Sequence, residues 1–372
     1  MNSSGEYEAL ARKYRPQTFS DVIGQQHVIA ALSNALVTKK IHHAYLLTGT
    51  RGIGKTTIAR ILAKCLQCER GITCEPCLSC ENCRMIAQGI HPDVFEIDAA
   101  SQTKVDDTRK ILDNTLYPPA LPTSHYKIYI IDEVHMLSQS SFNALLKTLE
   151  EPPEYVKFIL ATTDPQKIPA TVLSRCLQFS LKALTLEQIA RQLLQICNRE
   201  QIAYEEGAIR MLSRAAHGSM RDALSLCDQA LALGSGALKE DCVISMLGTA
   251  GDGLISSILD LLSPNPALSL SEVLTSIHEL SPNYKNLLDE LVLTFHDLAL
   301  YQFTHKTKLD VFNMPENILA YADKFDAKTL QLYYQIALQG LLEYKTAPDG
   351  AQVFDMALLR LLAFSPEKKK LG

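Results

Sequence analysis

The sequence predicts an α/β domain built on a parallel sheet, followed by two all-helical domains. Three observations predict it. Short apolar runs alternate with helical patterns up to about residue 180, a glycine-rich phosphate-loop pattern closes the first run, and from about Leu184 the strand-like runs stop.

The candidate strands are Ala44 to Thr48, Val94 to Ile97, Ile128 to Ile131 and Lys157 to Thr162. Continuous apolar runs of this length suit strands covered on both faces. Helical patterns follow the first, third and fourth runs, which is the alternation a parallel sheet requires. Beyond them, Thr185 with Gln188 has capping-box spacing, and Ser219 with Asp222 makes a similar helix start. A small helical domain is expected as far as Leu247, and the glycine-rich stretch Gly248 to Gly253 reads as a linker. In the remainder, Leu287, Leu291, Phe295 and Leu298 fall on one helix face, and Leu332, Ile336 and the run Val353 to Leu362 continue the pattern. These stripes read as intramolecular core. The chain runs out in EKKKLG, like the start of a tether. The expected division is 1–180, with an insertion at about 65–85, then 181–247, 248–365 and a linker start at 366–372.

At 372 residues, 47% hydrophobic and 21% charged, the chain has ordinary soluble composition and length for two or three domains. No apolar run approaches the roughly 20 residues that span a bilayer, and the N-terminus has no signal core. The expectation is a cytoplasmic protein with no membrane partner. A net charge of −5 argues against binding DNA by bulk charge. Contact through a local strip or helix N-termini stays open. Of the ten cysteines, Cys65, Cys68, Cys74, Cys77, Cys80 and Cys83 are clustered, which reads as metal rather than as disulfides.

GTRGIGKTT, residues 49 to 57, satisfies G-x-x-x-x-G-K-[ST] with Gly49, Gly54, Lys55 and Thr56. Thr50, Gly52, Ile53 and Thr57 complete the loop. Backbone N–H groups there would cradle phosphates, Lys55 would reach the β- and γ-phosphates of ATP, and the Thr56 hydroxyl would ligate Mg²⁺. The loop follows a strand pattern, AYLLT, and opens a helical one, TTIARILAKCL. In IYIIDEVHML, an apolar strand ends in Asp132-Glu133. Asp132 would hold Mg²⁺ and Glu133 would polarise an attacking water. C-x8-C-x2-C-x2-C at Cys68, Cys77, Cys80 and Cys83 suits tetrahedral Zn²⁺ with no position left for water, hence a structural site. Cys74, CxxC-spaced from Cys77, and Cys65, on the same helix as Cys68, are rival ligands.

ARKYRPQTFSDVIGQ, the phosphate loop, DEVHMLSQSSFNALLKTLEEPP (132–153), ATTDPQKIPATVLSRC (161–176) and GSMRDALSLCDQA (218–230) together resemble clamp-loader AAA+ ATPases. The cysteine cluster narrows the resemblance to the bacterial DNA polymerase III γ/τ subunits. It covers residues 1 to 250 closely and the generic C-terminal helices weakly. The resemblance implies an AAA+ domain, a helical lid and an all-α collar. It implies sensor-1 at Thr163, an arginine finger acting in a neighbouring subunit at Arg175, and sensor-2 at Arg221. It favours Cys68 as the first zinc ligand and makes the segment ARKYRP with Val22 and Ile23 the region that cradles adenine. It also brings Thr103, Lys104 and Arg109, in AASQTKVDDTRK, toward DNA phosphates, although Gln102 stands where the family often has a basic residue and a plain solvated helix face is the alternative.

The partners implied are the delta and delta-prime subunits, further gamma/tau copies, the sliding clamp and primer–template DNA. The activity implied is an ATPase motor that opens the clamp and loads it on primed DNA. No polymerase carboxylate constellation accompanies it. A branch-migration helicase of the same superfamily and a scaffold that has lost hydrolysis are the rival expectations.

Overall fold

The computed structural model describes residues 8–101, 114–247, 251–264, 266–280, 282–304, 316–347 and 349–364. They fall into two units, Met1–Lys239 and Glu240–Gly372.

In the first unit, strands β1 (Ala44–Thr48), β2 (Val94–Asp98), β3 (Lys127–Asp132), β4 (Val156–Thr162) and β5 (Leu177–Ser180) form one parallel sheet in the order β2-β3-β4-β1-β5. Side chains of a strand point alternately to the two faces, and here both faces are covered. Tyr45, Leu47, Ile128, Ile130, Ile159 and Ala161 pack with Ile58, Ile61 and Leu62 of the helix Lys55–Gln67. Ala44, Leu46, Tyr129, Ile131, Phe158 and Leu160 pack with Phe142, Leu145 and Leu149 of the helix Gln139–Glu150. Two-sided burial is why β1, β3 and β4 read as unbroken apolar runs.

The fifth strand was not among the expected four. LQFS lies at the sheet edge with Leu177 43% exposed and Gln178 and Ser180 exposed, so it has no apolar run to betray it. Its position is set by pairing with β1, from Tyr45↔Leu177 to Thr48↔Ser180.

After the sheet come the helices Leu186–Glu200, Glu206–Ala215 and Met220–Leu233. The capping box forms as spaced: Gln188 N donates to Thr185 Oγ1 at 3.2 Å, and Thr185 N donates to Gln188 Oε1 at 3.0 Å. Ser219 caps the third helix, accepting from Asp222 N at 3.1 Å. Each such cap is worth about 1 kcal/mol.

Among the described residues of the second unit the regular structure is all helical, with its main helices at Glu240–Leu247, Gly251–Leu262, Leu270–Leu280, Tyr284–Phe303, Ala327–Glu343 and Gly350–Ala363. Leu287, Leu291, Phe295 and Leu298 lie in its core. Two expectations are corrected here. Leu332 is 39% exposed, because the buried face of its helix runs instead through Leu330, Tyr333, Ala337 and Gly340. Gly251 to Gly253 belong to a helix rather than a linker, drawn in by the buried stripe Leu254, Ile255, Ile258 and Leu259 that follows. Residues 248–250 and the EKKKLG tail lie outside the described residues.

Candidate nucleotide site and cysteine cluster

β1 delivers the chain to Gly49 at the carboxyl edge of the sheet, where Gly49 N donates to Thr162 O of β4 at 3.3 Å. The loop then turns through left-handed conformations that favour glycine. Gly52 has φ +78°, and a Cβ there would lie 1.9 Å from Ser219 Oγ. Gly54, at φ +105°, is the N-cap of the helix Lys55–Gln67. That helix begins with its free N–H groups and positive dipole end at the loop, an arrangement suited to phosphate. Lys55 is buried, and its Nζ donates to Gly49 O and Thr50 O, both at 2.8 Å. Burial lowers its pKa, opposed by the nearby Glu133 and Asp132 carboxylates. The ammonium is thus folded into the loop, close to two acidic groups.

The order β3-β4-β1 places the end of β4 between the phosphate loop and Asp132. Thr56 Oγ1 donates to Asp132 Oδ2 at 2.5 Å, so the helix start and the strand end share one acidic oxygen. Glu133 N donates to Asp132 Oδ1 at 3.0 Å, and Glu133 takes a left-handed φ of +47°. Its Oε2 accepts from Thr163 N at 3.1 Å and from Thr163 Oγ1 at 2.8 Å. His135 Nδ1 lies 3.4 Å from the same oxygen and 2.9 Å from Thr162 Oγ1. Thr163 and Glu133 are therefore one hydrogen-bonded unit, with His135 alongside.

Arg221 enters from the third lid helix. Its backbone N lies 3.5 Å from Gly52 O, and its side chain is exposed beside the loop. Arg15 is a site residue that sequence reasoning missed. Its Nε donates to Thr57 Oγ1 at 3.2 Å, and burial together with the neighbouring Arg60 guanidinium pulls its pKa down to about 10, with Arg221 and Asp132 also within electrostatic reach. The signal was visible as the last of three basic residues in ARKYRP, a segment that the resemblance links to adenine alone. The same segment is strapped to the lid: Leu10 N donates to Asp228 Oδ2 at 2.9 Å, Lys13 Nζ pairs with Glu200 at 2.6 Å, and Tyr14 OH donates to Glu200. Val22 packs on the sheet core and Ile23 is half-buried next to it. The fully buried Gln25 clasps the chain between β5 and the lid, donating to Lys182 O at 2.7 Å and accepting from Lys182 N at 3.0 Å.

Arg175 is not gathered with these groups. Its guanidinium bonds to Glu150 Oε1 at 2.9 Å and Thr171 O at 2.8 Å, bordering a recess of about 570 Å³. Thr103, Lys104 and Arg109 lie outside the described residues.

The sulfurs of Cys68, Cys77, Cys80 and Cys83 lie within 4.8 Å of one another. Four thiolates on one Zn²⁺, with Zn–S bonds of about 2.3 Å, would sit roughly 3.8 Å apart, so the cluster fits a closed tetrathiolate metal site. Backbone amides face the sulfurs: Cys80 N donates to Cys77 Sγ at 3.3 Å and Cys83 N to Cys80 Sγ at 3.4 Å. Hydrogen bonds from the Cys80 amide and from Ser79 hold the Cys77 thiol down to about 5. The buried Cys65 thiol instead donates to Cys74 O at 3.7 Å. Buried amides tie the cluster to the chain that leads into β3. Asn82 Nδ2 donates to Gln67 O at 2.9 Å and Thr123 O at 3.2 Å, and Gln67 Oε1 accepts from His125 N and Tyr126 N at 2.9 and 3.1 Å.

Three family models match in succession: DNA polymerase III, delta subunit, over residues 24–185; the DNA polymerase III clamp loader subunit ATPase lid domain over 188–236; and DNA polymerase III subunits gamma and tau domain III over 238–371. The DNA polymerase III subunit gamma of Buchnera aphidicola subsp. Baizongia pistaciae is 44% identical over 95% of this chain and 96% of its own length. The chain belongs to the DNA polymerase III gamma/tau family. The subunit tau of Salmonella typhimurium is 52% identical over 97% of this chain. This chain spans about half (56%) of that longer relative. A solved Thermotoga maritima structure, the RuvB Holliday junction branch migration motor, aligns with 71% of this chain and 85% of its own at 21% identity and a TM-score of 0.48. Among the described residues, no helix is long and apolar enough to cross a membrane.

Proposed function

We propose that this chain is an ATPase motor subunit of the bacterial DNA polymerase III clamp loader, using ATP to open the sliding clamp and load it on primed DNA during chromosome replication. The observation that carries the reading is the hydrogen bond from Thr56 to Asp132, made beside Lys55 and the Glu133–Thr163 pair in a chain of this family. Those groups are the parts that phosphoryl transfer to water needs.

Gly49, Thr50, Gly52, Ile53, Gly54 and Thr57 form the cradle for the phosphates, and Lys55 leaves its carbonyl partners to meet them. Thr56 and Asp132 would hold Mg²⁺, which neutralises charge on the phosphates when bound. Glu133 accepts the proton of the attacking water, Thr163 orients Glu133 and senses the γ-phosphate, and Arg221 holds phosphate oxygens from the lid. Arg15 joins Lys55 and Arg221 as a third cation. Val22 and Ile23 flank the adenine. Arg175 completes the site of an adjoining copy by supplying a cation where charge develops.

Cys68, Cys77, Cys80 and Cys83 would hold a structural Zn²⁺. Thr103, Lys104 and Arg109 would contact primer–template DNA. The partners are the delta and delta-prime subunits, further gamma/tau copies and the clamp, in the cytoplasm. We divide the chain into an ATPase domain (1–180), a lid (181–247) and a collar (248–365). Transfer of labelled clamp onto primed circular DNA by the reconstituted loader tests the reading. Loading should require ATP and fall at least about 100-fold in Glu133→Gln, whereas loading at the wild-type rate by that variant would overturn it.

A further inference from the structure

Glu150 ends the helix Gln139–Glu150, and Arg175 follows the short helix Ala170–Leu173. Arg175 Nη2 donates to Glu150 Oε1 at 2.9 Å, while Nη1 donates to Thr171 O at 2.8 Å and Ser174 Oγ at 3.3 Å. These bonds use three of the five N–H groups of a guanidinium, so the fork is oriented and keeps donors for another acceptor. Both side chains are substantially exposed, Arg175 at 34% and Glu150 at 54%. An ion pair that open to water adds little to stability. Its consequence is geometric: a free arginine side chain must lose rotamer freedom to engage a ligand, and a held fork has already lost it. The recess that Arg175 borders, about 570 Å³ in volume, is also lined by His42, His43, Glu150, Glu151 and Cys176.

We propose that Glu150 is a positioning residue for Arg175: its carboxylate holds the guanidinium aimed into this recess, so that the phosphates of an adjoining copy meet a pre-oriented fork. Glu150 touches no nucleotide and acts only through Arg175. The inference rests on the reading of Arg175 as a cation supplied to a neighbour, and it adds a residue that accounts for the direction of that cation.

The test is steady-state ATP hydrolysis by the fully reconstituted loader with clamp and primed DNA. The loader would carry wild type, Glu150→Gln, Glu150→Asp, Arg175→Ala or the Glu150→Gln/Arg175→Ala double variant. Misorienting a catalytic group costs up to about 100-fold in rate, and a partial loss of aim predicts a drop of about tenfold in kcat for Glu150→Gln. KM for ATP should stay within about twofold, since the chain's own nucleotide cradle is untouched. Glu150→Asp should recover part of the loss, because the charge is retained. In the Arg175→Ala background the second change should do nothing further. Wild-type or raised kcat in Glu150→Gln, or the same fold-loss with Arg175 already removed, would overturn the proposal. If Arg175→Ala itself left kcat unchanged, the finger reading would fall, a result distinct from failure of Glu150 alone.

Discussion

Gly52→Ala is expected to damage stability and nucleotide binding together, through the lid. At φ +78° an alanine is in the left-handed region, which costs about 1–2 kcal/mol. The added Cβ would stand 1.9 Å from Ser219 Oγ and 2.9 Å from Ser219 Cβ, so the start of the third lid helix must move. Moving Ser219 forfeits its cap to Asp222 N, worth about 1 kcal/mol. If the lid yields fully, backbone strain and the lost cap sum to about 2–3 kcal/mol; if it stays, the cap is kept and backbone strain with overpacking sums to about 2–5 kcal/mol. Taking about 3 kcal/mol, with a unit of this size losing about 2–4 °C per kcal/mol, the melting temperature should fall by about 6–12 °C. Because Arg221 lies two residues past Ser219, affinity for a fluorescent ATP analogue should drop as well. Ser219→Gly removes both clashing atoms at the cost of only a few tenths of a kcal/mol of capping, but the left-handed strain of about 1–2 kcal/mol stays, so Gly52→Ala/Ser219→Gly should regain about a quarter to a half of the stability loss and part of the affinity. Unchanged melting and affinity in Gly52→Ala, or strictly additive losses in the double variant, would refute the reasoning.

Thr56→Ala should weaken Mg²⁺-dependent ATP binding by about 1–2 kcal/mol while leaving Mg²⁺-free nucleotide binding nearly unchanged, measurable by titration calorimetry with and without metal. A strong chelator should lower the melting temperature by about 5–10 °C, because metal at about 100 times its Kd adds about 2.7 kcal/mol, and Cys80→Ala should melt low and ignore the chelator. Glu200 is held below its ordinary carboxylate range by hydrogen bonds from Lys13 first and Tyr14 second. A depressed folded pKa gives stability that is present above the ordinary value of 4.5 and lost as pH falls through the folded value, so wild type and Glu200→Gln should differ in urea midpoint near pH 7, and the difference should shrink as pH is taken below 4.5.

The sheet was legible because β1, β3 and β4 are buried on both faces, which leaves apolar runs that need no tertiary knowledge to find. β5 was not, because an exposed edge strand is specified by its neighbour rather than by its own side chains. The lid helices announced themselves through Thr185 and Ser219, whose caps act within four residues. Leu332 misled because a helix with apolar residues on several sides leaves its buried face to packing, which a periodic pattern alone does not resolve. The phosphate loop and the Asp132-Glu133 strand end are local motifs, and spacing alone picked them out. Arg15, Glu150 and Gln25 act across sequence separations of 42, 25 and 157 residues, so their partners exist only in the folded chain.

The most direct test of the central claim is the ATP hydrolysis rate of this chain mixed with the other loader subunits, the sliding clamp and primed DNA, for wild type and Arg175→Ala. Strong stimulation by clamp plus DNA is expected, lost by about 10³-fold or more in the variant while ATP binding persists. A stable complex whose hydrolysis is indifferent to clamp and DNA would contradict that claim.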